Sequence, residues 1–300
     1  MTGTAAFELP SFAKINLCLH ILGRREDGFH EIVTIMQTIS LADRLRFERS
    51  SDLTLQCIGN TDLPAGRDNL IIRAAEKLRQ RFNISDGASI TLTKQIPVGG
   101  GLGGGSSNAA AAIIGLVRLW EIKAGFEELA EIAASLGSDV PFFLYGGTAL
   151  AHGKGTDIIP AEDANILPML VITPDVSVPT AKAYSLLKSE NLTIGHPNRI
   201  LPVCRRALEL DTFPVSAMRN DFEAVIYPAF PEILKVRSFL LNCGATHAVL
   251  SGSGASVFGI FDNEETRQAA LKALDKQVNW RKFAVTAIGR EKFRVEMGLS

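Results

Sequence analysis

The chain has 300 residues, 46% hydrophobic and 21% charged, with 31 Lys and Arg against 32 Asp and Glu. That length predicts one large or two medium domains, the composition excludes an intrinsically disordered chain, and the near-zero charge balance excludes a bulk attraction to nucleic acid or an acidic membrane. No apolar run reaches the ~20 residues that cross a bilayer, and MTGTAAFELPSFAK lacks a basic start and an apolar core, so a cytoplasmic location with small-molecule partners is expected.

The first element is a strand. Ala13, Ile15, Leu17, Leu19 and Ile21 alternate with Lys14, Asn16, Cys18 and His20, so one face meets a core and the other carries the polar groups. Further β-rich stretches follow at 32–39, 44–49, 53–58 and 88–95, interrupted by a helical pattern at 69–82. Residues 106–121 and 126–136 combine strong helix formers with apolar positions at helical spacing. After Gly146-Gly147, TALAH reads as a strand, and PMLVITP at 168–174 opens a second unit; the expected lobes are 1–165 and 166–300. The second lobe is expected to hold helices at 179–188, 197–209 and 229–242, with strands near 246–250, 255–261 and 282–288. Segregated strands and helices favour an α+β fold. Cys18, Cys57, Cys204 and Cys243 are far apart and form no C-x-x-C pair, which favours buried, reduced thiols over a zinc or redox motif.

The chemistry concentrates at 97–108, PVGGGLGGGSSN, where six of twelve residues are glycine and an alanine-rich helix follows at once. Glycines admit positive φ and leave no Cβ in the way, so successive N–H groups can turn inward as an anion cradle that the helix N-terminus completes. Ser106 and Ser107 fall at the helix start, where a hydroxyl caps free N–H groups, touches a phosphate oxygen or reaches a magnesium ion. A tight strand-to-helix turn needs only one or two glycines. A P-loop is excluded because no Gly-Lys-Ser/Thr occurs, and a protein kinase because H-R-D and D-F-G are absent. Gly99, Gly101 and Gly104 match a dinucleotide fingerprint, but the acidic residue it requires, Glu121, ends a helix rather than a strand.

Pro97, Gly101, Leu102, Gly103, Ser106 and Ser107 resemble the phosphate loop of the GHMP kinases, with an extra glycine. Together with PSFAKINLCLHILGRREDGFHEIVT at 10–34, the loop is similar to the branch of that family that phosphorylates the 2-hydroxyl of a cytidine-diphosphate-linked methylerythritol, a step of isoprenoid precursor synthesis. LGSDVPFFLYGGTALAHGKG at 136–155, PDVSVPTAKAY at 174–184, NDFE at 220–223 and AVLSGSGASVFGIF at 248–261 extend the likeness over most of the chain. The resemblance implies ATP as phosphoryl donor with Mg2+, and an N-terminal lobe with a left-handed β-α-β crossover. It further implies a C-terminal α+β lobe, with ATP and acceptor in the cleft between the two.

The same resemblance assigns Pro97, Val98, Gly99, Gly100, Gly101, Leu102, Gly103, Gly104, Gly105, Ser106 and Ser107 to ATP, with Ser107 a weak candidate for a metal ligand. It makes Lys14, on alternation alone a solvated strand charge, catalytic or acceptor-positioning. Asp139, which by itself reads equally as a cap for a helix near Pro141, becomes the base. Asn16, Phe29, His30 and Tyr184 are expected at the acceptor: a base needs flat partners and groups that match its polar edge. Phe29 stands where the family often has tyrosine, keeping the ring and losing the hydroxyl. Tyr184 also fits an ordinary helix core and His30 a surface histidine; Ser251-Gly252-Ser253-Gly254, by itself a hairpin turn, is placed by the resemblance at the active site, where it could close over phosphates. The alternatives are a related kinase acting on mevalonate or homoserine, or a non-catalytic nucleotide-binding protein. EDGFHE at 26–31 separates the first, and Lys14 with Asp139 the second.

Overall fold

A computed structural model describes residues 5–59, 63–64, 66–276 and 279–299. The N-terminal half opens with two long strands, β1 (Phe7–Arg24) and β2 (His30–Ser50), followed by β3 (Leu53–Ile58), α1 (Leu70–Phe82) and β4 (Gly87–Thr93). Helices α2 (Gly104–Leu119), α3 (Phe126–Leu136) and α4 (Phe142–Tyr145) come next, then β5 (Thr148–Gly153) and β6 (Asp157–Pro160). The remainder runs β7 (Met169–Pro174), α5 (Thr180–Leu186), α6 (Pro197–Leu208), β8 (Arg219–Asn220), α7 (Glu223–Ala229), α8 (Pro231–Asn242), β9 (His247–Leu250), β10 (Val257–Ile260), α9 (Glu264–Ala273), β11 (Trp280–Val285) and α10 (Arg290–Glu296).

These elements form two sheets. The first runs β3-β4-β2-β1-β8, with β5 paired to β2 and β6 to β5; the second runs β11-β7-β10-β9. β3 and β4 pair in parallel with α1 as their connection, which is a β-α-β unit. Residue 165 falls in the coil between β6 and β7, where the two sheets part. Two later elements cross back: β8 pairs in parallel with β1, and α10 inserts Phe293 beside Phe12 of β1.

Alternation along the strands explains the layers. Met169 and Val171 of β7 face a core shared with β1, β2 and α6, while Leu170 and Ile172 face a second core under α7, α8 and α9. A third core lies between the first sheet and α1 to α3, filled by Leu78, Ile113, Leu116 and Leu136 among others. β1 supplies side chains to all three cores, Phe12 to one, Ile15 and Leu17 to the next, Ile21 to the last. Its polar residues therefore do not meet solvent as simple alternation suggests: Lys14 and Asn16 are buried on the cavity side, and a bulge between Asn16 and Cys18 turns Cys18 to the opposite side, into the core of Ile15 and Leu17.

Differences from the sequence expectations have local causes. The stretches 32–39 and 44–49 are one strand, because a bulge opposite Phe12/Ala13 absorbs Ser40 and Leu41 and keeps β2 paired on both sides of them. The helix expected at 229–242 begins at Pro231, whose lack of an N–H suits a first helical position, and the separate α7 precedes it. Four-residue β6, two-residue β8 and the short α9 and α10 carried too little periodicity to be read, while the helix expected near Pro141 is the four-residue α4. The cysteines bear out the expected reduced thiols, though only Cys18 and Cys204 are buried. All four are free, yet Cys18 and Cys204, 186 positions apart, bring their sulphurs to 3.7 Å.

Candidate active site

A cavity of about 490 Å³ lies where β1, the loop after β4, the start of α2 and the turn between β9 and β10 converge. Residues Pro97 to Ser106 line it, with Lys14, Asn16, Lys94, Asp139, Tyr184 and Gly252 to Gly254.

The glycine loop ends at Gly103, which occupies the cap position of α2 with φ 69° and leaves the first-turn amides without a side-chain cap. Those N–H groups, at the positive end of a 16-residue helix, remain for an anion. Ser106 lines the cavity, but Ser107 does not: its buried hydroxyl accepts from Ser11 Oγ at 2.8 Å and turns toward β1. Helical rotation thus carries Ser107, the fourth residue of α2, away from the cavity and leaves Ser106 as the serine that faces it.

The second glycine stretch is both a turn and a wall. It joins β9 to β10, and its chain meets the first loop directly: Ser256 N–H donates to Gly100 O at 3.0 Å and Ser251 Oγ to Gly101 O at 3.0 Å. Gly101 has φ +72°, and a Cβ there would lie 2.0 Å from Ser251 O, so the contact demands glycine. Asn220 fixes the turn from behind, donating from Nδ2 to Leu250 O and Gly252 O while Oδ1 accepts from Phe222 N–H. Ser253 and Thr180 share a hydroxyl contact of 3.2 Å across the mouth.

Lys14 is held from three sides. Its own N–H donates to Leu102 O at 3.0 Å, its Nζ donates to Asn16 Oδ1 at 2.7 Å, and Nζ lies 3.4 Å from Asp139 Oδ2. Asn16 Nδ2 donates in turn to Thr34 Oγ1, which donates to Cys18 O, so the donors and acceptors behind the lysine are satisfied within the strand pair. The ammonium is 4% exposed and the carboxylate 37%, so the pair points the lysine inward and opens the carboxylate to the cavity. Asp139 caps no helix: α4 begins after Pro141 without a side-chain cap.

Of the four acceptor candidates, Asn16 and Tyr184 line the cavity, and Phe29 and His30 lie outside its lining on the β1–β2 hairpin. His30 stacks on Tyr184 at 4.5 Å, and Tyr184 meets Phe222 edge-on at 4.9 Å, an aromatic row from hairpin to core. Tyr184 thus packs on a core ring and also faces the cavity. Burial, reinforced by the negative charge of Asp139, pushes its phenol up to about 12, so the hydroxyl stays protonated. Burial, with Arg24 nearby, holds the His30 imidazole below its ordinary range. Phe29 is 53% exposed, with the Lys154 ammonium 5.4 Å from its ring centroid.

One cluster was missed. Beneath the glycine loop, buried Asp43 pairs with Lys94 and accepts from Gln95 N–H, Ile96 N–H and Asn108 Nδ2. Lys94 also lines the cavity, and a Cβ on Gly104 would lie 3.0 Å from its Nζ, so a second cation sits against the start of α2. Burial lowers its pKa despite Asp43. Its place three residues before Pro97 was a usable signal; Asp43, in mid-strand, offered none.

Residues 69–147 match the GHMP kinases N terminal domain, and residues 212–279 the GHMP kinases C terminal family. The 4-diphosphocytidyl-2-C-methyl-D-erythritol kinase of Syntrophotalea carbinolica is 40% identical over 278 residues, 92% of this chain and 97% of that protein. The enzyme of the same name from Thermoanaerobacter pseudethanolicus is 38% identical over 282 residues, 93% and 96% of the two chains. A crystal structure of 4-(cytidine 5'-diphospho)-2C-methyl-D-erythritol kinase superposes with a TM-score of 0.80 at 35% identity, covering 94% of this chain and 100% of that one. A homoserine kinase from Cytophaga hutchinsonii, with a TM-score of 0.72 at 19% identity over 97% and 98% of the two chains, shares the fold. Two glycine loops joined through their backbones, a buried lysine paired with a cavity aspartate, and relatives alike over nearly the full length lead to one conclusion: the chain belongs to the GHMP kinases, a family of small-molecule kinases.

Proposed function

We propose that this kinase transfers the γ-phosphoryl group of ATP to the 2-hydroxyl of 4-diphosphocytidyl-2-C-methyl-D-erythritol. The observation that carries the chemistry is the Lys14–Asp139 pair, seated against the glycine loop in one cavity. The free amides at the start of α2 and the loop 97–105 bind the β- and γ-phosphates, and Lys94 adds positive charge from below. The acceptor oxygen attacks phosphorus in line with the leaving oxygen of ADP, and its proton passes to Asp139 as the new P–O bond forms and the old one breaks. Lys14 Nζ, with Asn16 fixing its position, stabilises negative charge on the phosphoryl oxygens in flight.

Ser106 and Asp139 Oδ1, the carboxylate oxygen that the lysine pair does not use, are the groups that would hold a Mg2+ ion, which would neutralise phosphate charge during the transfer.

At the other end, the exposed ring of Phe29 and the stacked rings of His30 and Tyr184 offer the flat, partly polar platform that a cytosine base requires. The names and near full-length identity of the relatives support this acceptor over mevalonate or homoserine. ADP release with ATP and a panel of alcohols tests the reading: release is expected with the cytidylated methylerythritol alone. Equal release with mevalonate or homoserine would overturn the acceptor, and none with any alcohol would overturn the kinase.

A further inference from the structure

Behind the catalytic face, three side chains that phosphoryl transfer does not use converge where β1 meets α6. Cys18 and His20, two apart on β1, project from the same face of the strand, and Cys204 of α6 comes up against them. One donor atom from each lies within 4.8 Å of the other two. The Cys18 and Cys204 sulphurs are 3.7 Å apart, matching the ~3.8 Å edge of a tetrahedron with metal–sulphur bonds of ~2.3 Å.

The hydrogen bonds around His20 sharpen the case. Thr193 Oγ1 has one proton and donates it to Asp221 Oδ2 at 2.6 Å. Its contact of 3.3 Å with His20 Nδ1 must therefore be one it accepts, which puts the imidazole proton on Nδ1 and the lone pair on Nε2. Asp221 is itself fixed by Ile21 N–H and Arg219. A carboxylate acting through a hydroxyl to orient an imidazole is the support that metal-ligating histidines use.

We infer that Cys18, Cys204 and His20 form a binding site for a thiophilic divalent cation of the Zn2+ type, with two thiolates, one imidazole nitrogen and water as the fourth ligand. Binding releases the two thiol protons. Cys204 is 5% exposed and His20 is part-exposed, so ion and water enter from the histidine side. The ion would strap α6 to β1, closing a loop of 186 residues at the strand that carries Lys14 and Asn16.

Cobalt is the probe, because thiolate-to-cobalt charge transfer gives a near-ultraviolet band that oxygen ligands do not. The full chain, stripped with EDTA and kept reduced by a phosphine, is titrated with Co2+ and then with Zn2+. Charge transfer saturating at about one equivalent and displaced by zinc is expected. The Cys57→Ser/Cys243→Ser double variant should keep the band, and Cys204→Ser should lose it. Thr193→Val, which touches no metal, should weaken binding roughly 10- to 100-fold through loss of the imidazole's orientation. No thiolate band in the reduced wild type would overturn the proposal whatever the variants do. So would a band that survives in Cys204→Ser or disappears in the Cys57/Cys243 variant.

Discussion

The two ends of the cavity are built differently. The phosphate end is backbone: amides of 97–105, the start of α2, and a second glycine turn hydrogen-bonded to the first loop. The proposed acceptor end is side chains: Lys14 and Asn16 from β1, Asp139 before α4, and Tyr184 with Phe222, on which His30 stacks from outside the lining. A backbone site tolerates almost no added atoms, whereas a side-chain site can lose one contact and keep the rest. On the proposed function, the first would recognise the phosphates of ATP and the second would select the acceptor.

The largest effect should come from the junction of the two ends. Asp139→Asn is expected to fold normally, by circular dichroism and melting temperature, while kcat falls roughly 10²- to 10⁴-fold; near-normal turnover would remove Asp139 as the proton acceptor. Next comes the backbone end. Gly101→Ala forces a Cβ to within 2.0 Å of Ser251 O at φ +72°, and strain of at least ~1–3 kcal/mol should lower urea stability and raise the KM for ATP. A KM for the acceptor that rises as much as that for ATP would break the proposed division of labour.

At the side-chain end the effects should be smaller and separable. Tyr184→Ala should raise the acceptor KM by the ~1–3 kcal/mol that one base stack contributes, roughly 5- to 150-fold, with Tyr184→Phe close to wild type. Phe29→Ala should raise it more than Phe29→Tyr, and equal values would put that exposed ring away from the base. The mildest prediction concerns pH. His30 titrates below its ordinary 6.5 when folded, so the unfolded chain takes up the proton first. The stability contributed by neutral His30 is therefore present above pH 6.5 and lost as pH falls through the folded value. Acceptor KM should rise over that descent while the KM for ATP stays flat, and His30→Gln should remove the rise; an unchanged profile in the variant would assign the titration to another group.

Legibility followed the same division. The glycine loop was readable because a backbone anion site needs one residue type at adjacent positions, and α1, α3 and β3 matched their periodic segments closely. Lys14 and Asp139 are singled out in the sequence only by resemblance to the family; their 3.4 Å approach lies across 125 positions that no local pattern spans. Asp43 and Lys94 were missed for a related reason: a buried ion pair leaves no periodic trace when each partner sits in an ordinary strand or loop. Ser106 and Ser107 look alike in sequence, and only helical rotation sends one to the cavity and the other to Ser11.

By itself the sequence determined the segregated α+β pattern and the glycine loop that runs into a helix, because repeated glycines and hydrophobic periodicity report local backbone geometry, and the loop's motif pointed to the family. Only the tertiary structure decided that β1 passes through three cores and buries Lys14 and Asn16, that the second glycine turn abuts the first loop, and that Cys18 meets Cys204. Those are contacts between residues far apart in the chain, set by how sheets and helices bury their apolar faces against one another.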